Sequence, residues 1–202
     1  MDSIRKYPLE RKWVIWEMWN TKDTSNYEKN MQKVGEFSDL WAFWQHWANL
    51  PHSDPKFFFN DSAKGEEKVP AGLPSPIESI GIFEDNVVPA WEDKANKPGC
   101  DFYCRLSSDQ DMKGIWQKTV FTLIGETFPF ADQVTGVRIV DRVKTFKIEI
   151  WVRYFGDAEK NAQMKEKIAK LFELSKIENV EITAHEERFS QTSNREAGGK
   201  GH

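Results

Sequence analysis

Residues 137–154 read Val-Arg-Ile-Val-Asp-Arg-Val-Lys-Thr-Phe-Lys-Ile-Glu-Ile-Trp-Val-Arg-Tyr, and their alternation decides the fold. Val137, Ile139 and Val143 alternate with Arg138, Arg142 and Lys144, while Phe146, Ile148, Ile150 and Val152 oppose Lys147, Glu149, Trp151 and Arg153. A period of two is the signature of a strand with one buried face. The stretch therefore predicts two strands, 137–143 and 146–154, joined by a short turn around Thr145 as an antiparallel hairpin. One face is apolar and the other basic. Arg142, Lys144 and Lys147 flank the turn, where they could converge on an anionic group such as a phosphate chain. A merely solvated charged face fits the same alternation, but a ring such as Trp151 on such a face usually has a partner.

Outward from the hairpin, strand signals recur at 11–19, with Trp13 and Ile15 on one face and Trp16 and Met18 on the other. They recur again at 80–83, 101–106 and 178–184. Three helices are predicted. Ser38 is a plausible cap for the first, in which Leu40, Phe43, Trp44 and Trp47 form the buried stripe to about Asn49, with Trp41 at its margin. The second runs from about 109 to 126 with Ile115, Trp116, Val120 and Leu123 inward, and the third from about 157 to 175 with Met164, Ile168, Leu171 and Phe172 inward. Residues 23–30 read as a polar loop with Tyr27 as its one aromatic. Residues 51–76, with five prolines and two glycines, read as a long connection holding one short strand at Phe57-Phe58-Phe59. Short strands interleaved with three helices indicate one α+β domain with a mostly antiparallel sheet over residues 1–188, its first six residues flexible, followed by a polar flexible tail, 189–202.

Composition narrows the function. A formal net charge of -4 with 13% aromatic residues argues against bulk, sequence-blind binding to nucleic acid, so any RNA contact should be local. Cys100 and Cys104 alone make neither a zinc site nor a disulfide framework, and reduced thiols point to the cytoplasm or nucleus. No run of about 18 apolar residues predicts a membrane span. Phosphate-loop, nucleophile-elbow, dinucleotide and metalloprotease motifs are missing from the sequence, and the four histidines show no ligand spacing. We therefore expect no catalytic residues, metal or cofactor. A nucleotide hydrolase using Glu92, Asp93 and a metal is the enzyme alternative.

Residues 87–93, Val-Val-Pro-Ala-Trp-Glu-Asp, carry the sharpest binding signal. Trp91 offers a π-surface that attracts a cation over it, and the Glu92 carboxylate can accept two parallel N–H donors. Guanine presents such a pair at N1 and N2, and methylation at N7 makes it cationic. Taken alone, the tripeptide is more simply a half-buried tryptophan followed by two surface acids. A further apolar set, Pro8, Leu9, Phe37, Trp41 and Phe121, either packs in the core or forms a groove for a partner's amphipathic helix.

In order and spacing these features resemble the family of cap-binding translation initiation factor 4E, from Tyr7 to about Arg188. The resemblance is carried by Tyr-Pro-Leu at 7–9 before Arg11-Lys-Trp-Val-Ile-Trp16, Phe37-x-x-x-Trp41, Pro89-Ala-Trp-Glu-Asp-Lys-Ala-Asn-Lys97, Trp116 with Leu-Ile-Gly-Glu at 123–126, and Arg142-x-Lys144-x-x-Lys147-Ile-x-Ile-Trp151. It implies a curved antiparallel sheet with three helices on its convex back and a site for the 7-methylguanosine cap of messenger RNA on its concave face. By the resemblance Trp91 stacks on the base and Glu92 reads its edge. Arg142, Lys144 and Lys147 hold the phosphates, and Trp151 approaches the methyl group. The apolar set corresponds to the dorsal surface that receives a Tyr-x-x-x-x-Leu-hydrophobic helix of the scaffold protein 4G or of competing repressors, the factor itself being a monomer outside that complex. The chain departs from the pattern in four places. Tyr27, with Trp19 as the alternative, stands for the second stacking tryptophan; Asp101 falls near a basic phosphate-side residue; Gln117 and Lys118 replace an apolar and an acidic dorsal residue; and the 51–76 connection is long. A paralogue that binds caps weakly and serves mainly as a protein-interaction module is the other reading.

Overall fold

The computed structural model describes residues 7–19, 27–59, 69, 75–107, 109–142 and 144–187. The proposed N-terminal six residues, most of the 60–74 connection and the 189–202 tail lie outside the described residues. Seven strands form one sheet: β1 (Pro8–Trp19), β2 (Met31–Asp39), β3 (Ile77–Glu84), β4 (Cys100–Ser107), β5 (Val134–Asp141), β6 (Thr145–Val152) and β7 (Glu181–Ala184). Their order is β2-β1-β3-β5-β6-β4-β7, and every pairing is antiparallel. The sheet is curved, and three helices, α1 (Leu40–Asn49), α2 (Met112–Ile124) and α3 (Ala158–Leu171), cover its convex face.

The hairpin forms as its alternation requires, with Ile139 opposite Ile148 and Arg138 opposite Glu149. Phe146, Ile148, Ile150 and Val152 enter the main core beneath the helices, together with Trp13, Ile15, Ile80, Ile82, Trp116, Met164 and Ile168. Trp151 faces the other way, into a smaller concave cluster with Val14, Trp16, Met18, Met31, Phe83 and Val87. The period-two pattern thus sorts β1 and β6 between two cores, since a strand's successive side chains point to opposite faces. The Phe83 ring lies across Gly81 and Gly136, where an added Cβ would come within 2.8 and 2.4 Å of it. Those glycines make room for the floor of the concave face.

Three expectations are corrected, and one strand is found that none of them covered. Strand β2 escapes the sequence reading because Met31, Val34 and Phe37 recur every third residue, and its pairing along β1 overrides that pattern. Asp39, not Ser38, caps α1, its carboxylate accepting the Ala42 amide at 2.8 Å. No strand forms at Phe57–Phe59: a 3₁₀ turn, Pro55–Phe57, follows another at Pro51–Ser53, and the proline that opens each presets a helical φ. Phe58 and Phe59 are buried after them. In the α1 stripe only Phe43 and Trp47 are buried, while Leu40 and Trp44 are exposed, because the outer helix touches the sheet along one narrow line.

The proline-rich start of the connection is anchored by polar groups. Glu17 on β1 is buried and meets His52 Nε2 at 2.8 Å and the Gln32 amide at 2.8 Å. The indole of Trp116 donates to the His52 carbonyl at 2.8 Å. Burial works against the charge on Glu17, but the His52 and Gln32 hydrogen bonds outweigh it and hold the carboxyl below its ordinary range.

Candidate ligand site on the concave face

The chain between β3 and β4 carries Trp91 and Glu92 and is held by two side chains from its own sequence. Asp93 accepts the Val88 amide at 3.0 Å and the Ala95 amide at 2.8 Å. Asn96, fully buried, donates to the carbonyls of Val88 and Ala90 at 2.9 and 3.0 Å. Short polar side chains that bond nearby backbone are the usual means of fixing an irregular loop. The loop presents Trp91 half-buried against the concave cluster that holds Trp16 and Trp151. Glu92 beside it is exposed and makes no ion pair among the described residues. Asp93, one of the two surface acids of the plain reading and a metal ligand of the hydrolase reading, is instead a backbone anchor. Among the described residues no group of three His, Cys, Asp or Glu side chains is placed to hold a metal.

A second anchor comes from the far end of the chain. His185, after β7, is fully buried; its Nδ1 lies 2.6 Å from the Asn96 carbonyl and its ring 4.6 Å from that of Trp151. Its Nε2 is 3.6 Å from Asp101 Oδ1. Neither Asn96 nor His185 stands out in the sequence as a site residue, because nothing local signals that they will meet across 89 positions.

The floor of the face is charged yet buried. Glu149 is completely enclosed, accepting from Arg138 Nε at 2.7 Å, Lys147 Nζ at 2.7 Å and the Trp151 indole at 2.9 Å. Burial opposes its ionisation, but the two cations outweigh that cost and hold the carboxyl far below the ordinary range. Lys147 also lies 3.5 Å from Asp101 and 3.7 Å from the centre of the Tyr103 ring. The register explains the cluster: Asp101, Tyr103 and Arg105 of β4 face Trp151, Glu149 and Lys147 of β6, and Arg138 of β5 faces Glu149 from the other side.

Two predicted site residues are placed differently from the sequence expectation. Lys147 does not stand beside the turn with Arg142 and Lys144; it is 3% exposed and engaged by carboxylates. Trp151 offers no accessible ring, being fully covered by Phe83 edge-on, His185 and the Arg138 guanidinium. The reason is that β6 is an interior strand, and the loop and His185 close the face that the sequence leaves open. Arg142 and Lys144 are exposed at the turn, as predicted, Arg142 pairing with Glu78 at 2.9 Å. Tyr27 opens a 3₁₀ turn, Tyr27–Asn30, that leads into Met31 of the concave cluster, so its backbone belongs to the rim of this face. The Tyr27 side chain is outside the described residues, and Trp19 sits half-buried at the end of β1.

On the convex side, Leu40, Trp41, Trp44 and Phe121 expose an apolar patch across α1 and α2, with the Trp44 and Phe121 rings 5.8 Å apart. Pro8 is exposed and Leu9 half-buried. Phe37, predicted to line the same groove, is buried with its ring 5.2 Å from Phe43, so it supports the helix from below.

Comparison with known proteins gives a consistent family. The profile described as "Eukaryotic initiation factor 4E" matches residues 8–199. The chain is similar to "Eukaryotic translation initiation factor NCBP" of Triticum aestivum, 25% identical over 189 residues, covering 93% of this chain and 73% of the relative. It is similar to "Eukaryotic translation initiation factor 4E" of Homo sapiens, 27% identical over 150 residues, covering 72% of this chain and 60% of the relative. In fold it resembles the C. elegans factor solved as "Complex of C. elegans eIF4E-3 with the 4E-binding protein Mextli and cap analog", with a TM-score of 0.71 at 18% identity, covering 91% of this chain and 95% of that one.

Proposed function

The chain belongs to the eukaryotic initiation factor 4E family, and from that membership we propose that it binds the 7-methylguanosine 5′ cap of messenger RNA and acts in translation initiation or its regulation. The observation that carries the reading is the loop locked by Asp93 and Asn96, which holds side by side the Trp91 ring and the exposed Glu92 carboxylate, the latter without an ion pair among the described residues. In this reading the base stacks on Trp91, gaining a cation–π contribution when N7 is methylated. Glu92 accepts the N1 and N2 protons in a bidentate pair. Tyr27 supplies the opposite wall, Trp19 being the alternative. Arg142 and Lys144 lie towards the phosphates, and Trp151 supports Trp91 from the floor. The protein acts by binding, without a chemical step, in the cytoplasm or nucleus. Tryptophan quenching by 7-methyl-GTP and by GTP tests this: the methylated nucleotide should bind at least about tenfold more tightly, and equal affinities would refute it.

The exposed patch of Leu40, Trp41, Trp44 and Phe121 supports a partner as well. We assign it an amphipathic helix of the scaffold factor 4G or of a 4E-binding repressor. The related C. elegans factor was solved with the 4E-binding protein Mextli, which supports the assignment. A protein-interaction role with weak cap binding draws on this same patch and on the enclosure of Lys147.

A further inference from the structure

We propose that His185 is a positioning residue of the ligand site, its Nδ1–H fixing the loop that carries Trp91 and Glu92 through the carbonyl of Asn96. The inference rests on the cap reading above and deepens it. Asn96 is the hub of that loop. Its fully buried side-chain amide donates to the carbonyls of Val88 and Ala90, just before Trp91, and its backbone N–H donates to the Asp93 carbonyl at 2.9 Å. These bonds give the loop its shape. The Asn96 carbonyl, 2.6 Å from His185 Nδ1, ties that shape to the end of β7. A carbonyl only accepts, so this contact requires the proton on Nδ1.

His185 grips the last turn of the loop twice. Its backbone N–H donates to the Gly99 carbonyl at 3.1 Å, and the Gly99 N–H donates to the Asn96 carbonyl at 2.8 Å, so that oxygen accepts from both residues. The turn is seated directly on β6: a Cβ at Gly99 would come within 1.8 Å of the Val152 carbonyl. The His185 ring also lies 4.6 Å from that of Trp151, in the concave cluster against which Val88, Trp91 and Ala95 pack. One enclosed imidazole thus touches both the hub of the loop and the floor on which the loop rests.

A ligand that meets a loop already in place loses no affinity to ordering it. Without the Nδ1 bond, Trp91 and Glu92 keep their side chains but lose their fixed position over the concave face. His185 has a second polar neighbour in Asp101, 3.6 Å from Nε2. Substitutions that keep one donor position and not the other separate the two contacts.

Three substitutions in the full chain test this, by fluorescence titration with 7-methyl-GTP and by hydrogen exchange at the Asn96 and Gly99 amides. His185→Asn keeps an N–H close to the place of Nδ1, His185→Gln carries its amide out towards Asp101, and His185→Leu has neither donor. His185→Asn should bind within about twofold of the unaltered chain. His185→Gln and His185→Leu should lose about fivefold, the effect of one hydrogen bond, with both amides exchanging faster while those of β1 and β3 keep their protection. A general loss of stability does not produce that pattern. Equal losses in all three variants would assign the effect to the ring against Trp151, retention by His185→Gln alone would assign it to Asp101, and no loss in any would free the loop from β7; each of these overturns the proposal. An unaltered chain that does not bind 7-methyl-GTP overturns the cap reading and this inference with it. If His185→Leu does not fold, the contrast between His185→Asn and His185→Gln decides.

Discussion

Glu149 is the residue in which burial and charge are most tightly joined. It is enclosed, charged, and bonded at once to Arg138, Lys147 and Trp151. Removing one partner of a buried charge cluster leaves the others uncompensated, at a cost of about 3–5 kcal/mol. Glu149→Gln should lower unfolding free energy at neutral pH by about 3 kcal/mol, measured by urea titration. The sign with pH follows from the lowered folded-state value. An unfolded glutamate titrates at about 4.3, so the contribution of Glu149 is complete above that range. It is lost as the pH falls from there through the folded-state value. The acid limb of the stability curve should therefore flatten in the glutamine variant, and a curve with the same acid limb would show that the charge is not what stabilises the floor.

At the scale of elements, α1 illustrates how a buried stripe and an exposed stripe share one helix. Ten residues hold Leu40, Trp41, Phe43, Trp44 and Trp47, more apolar surface than a single line of contact with the sheet can cover. Phe43 and Trp47 point to the sheet; Trp41 and Trp44 are left outside with 41% and 50% of their surface exposed. Large exposed aromatics gathered beside Phe121 form the kind of patch that binds helices. Trp41→Ala should lower the affinity of a Tyr-x-x-x-x-Leu-hydrophobic peptide by about tenfold or more in a titration followed by calorimetry. Cap binding should be unaffected, and thermal stability should change little, because Trp41 is exposed and makes no ring contact among the described residues. A peptide affinity equal to that of the unaltered chain would move the partner surface elsewhere.

The β3–β4 loop belongs to the same scale. The proposed site pair, Trp91 and Glu92, is read from residue types alone. Its anchors were only half legible: Asp93 sits in a turn-forming context, but the pairing of Asn96 with His185 depends on β7 lying beside β4.

For the whole molecule, one sheet with a core on each face makes burial the property of strand position. Cys100 and Cys104 on β4 are buried free thiols. Burial, reinforced by Asp101 for Cys100 and Glu181 for Cys104, pushes both thiols up, Cys104 to about 12. Neither should react with an aromatic disulfide reagent at neutral pH in the folded chain. Both should react together as urea unfolds it, and labelling of either well before the loss of tryptophan signal would show that β4 opens on its own.

The sequence by itself determined the class, the hairpin, the three helices and the two-faced strands. Those follow from local periodicity and capping, which neighbouring residues impose on one another. It also singled out Trp91 and Glu92 for the proposed site and put Arg142 and Lys144, both exposed, beside the 142–144 turn. Only the tertiary structure decided that Lys147 and Trp151 are enclosed, that Phe37 is core, and that residues 31–39 pair as a strand. These depend on which strands become interior and on which carboxylate arrives opposite which cation. Asp101 and Lys147 are 46 positions apart, and an ion pair between them has no signal in sequence spacing. It exists because antiparallel pairing of β4 with β6 places them on the same face, where burial makes an unpaired charge too costly to leave.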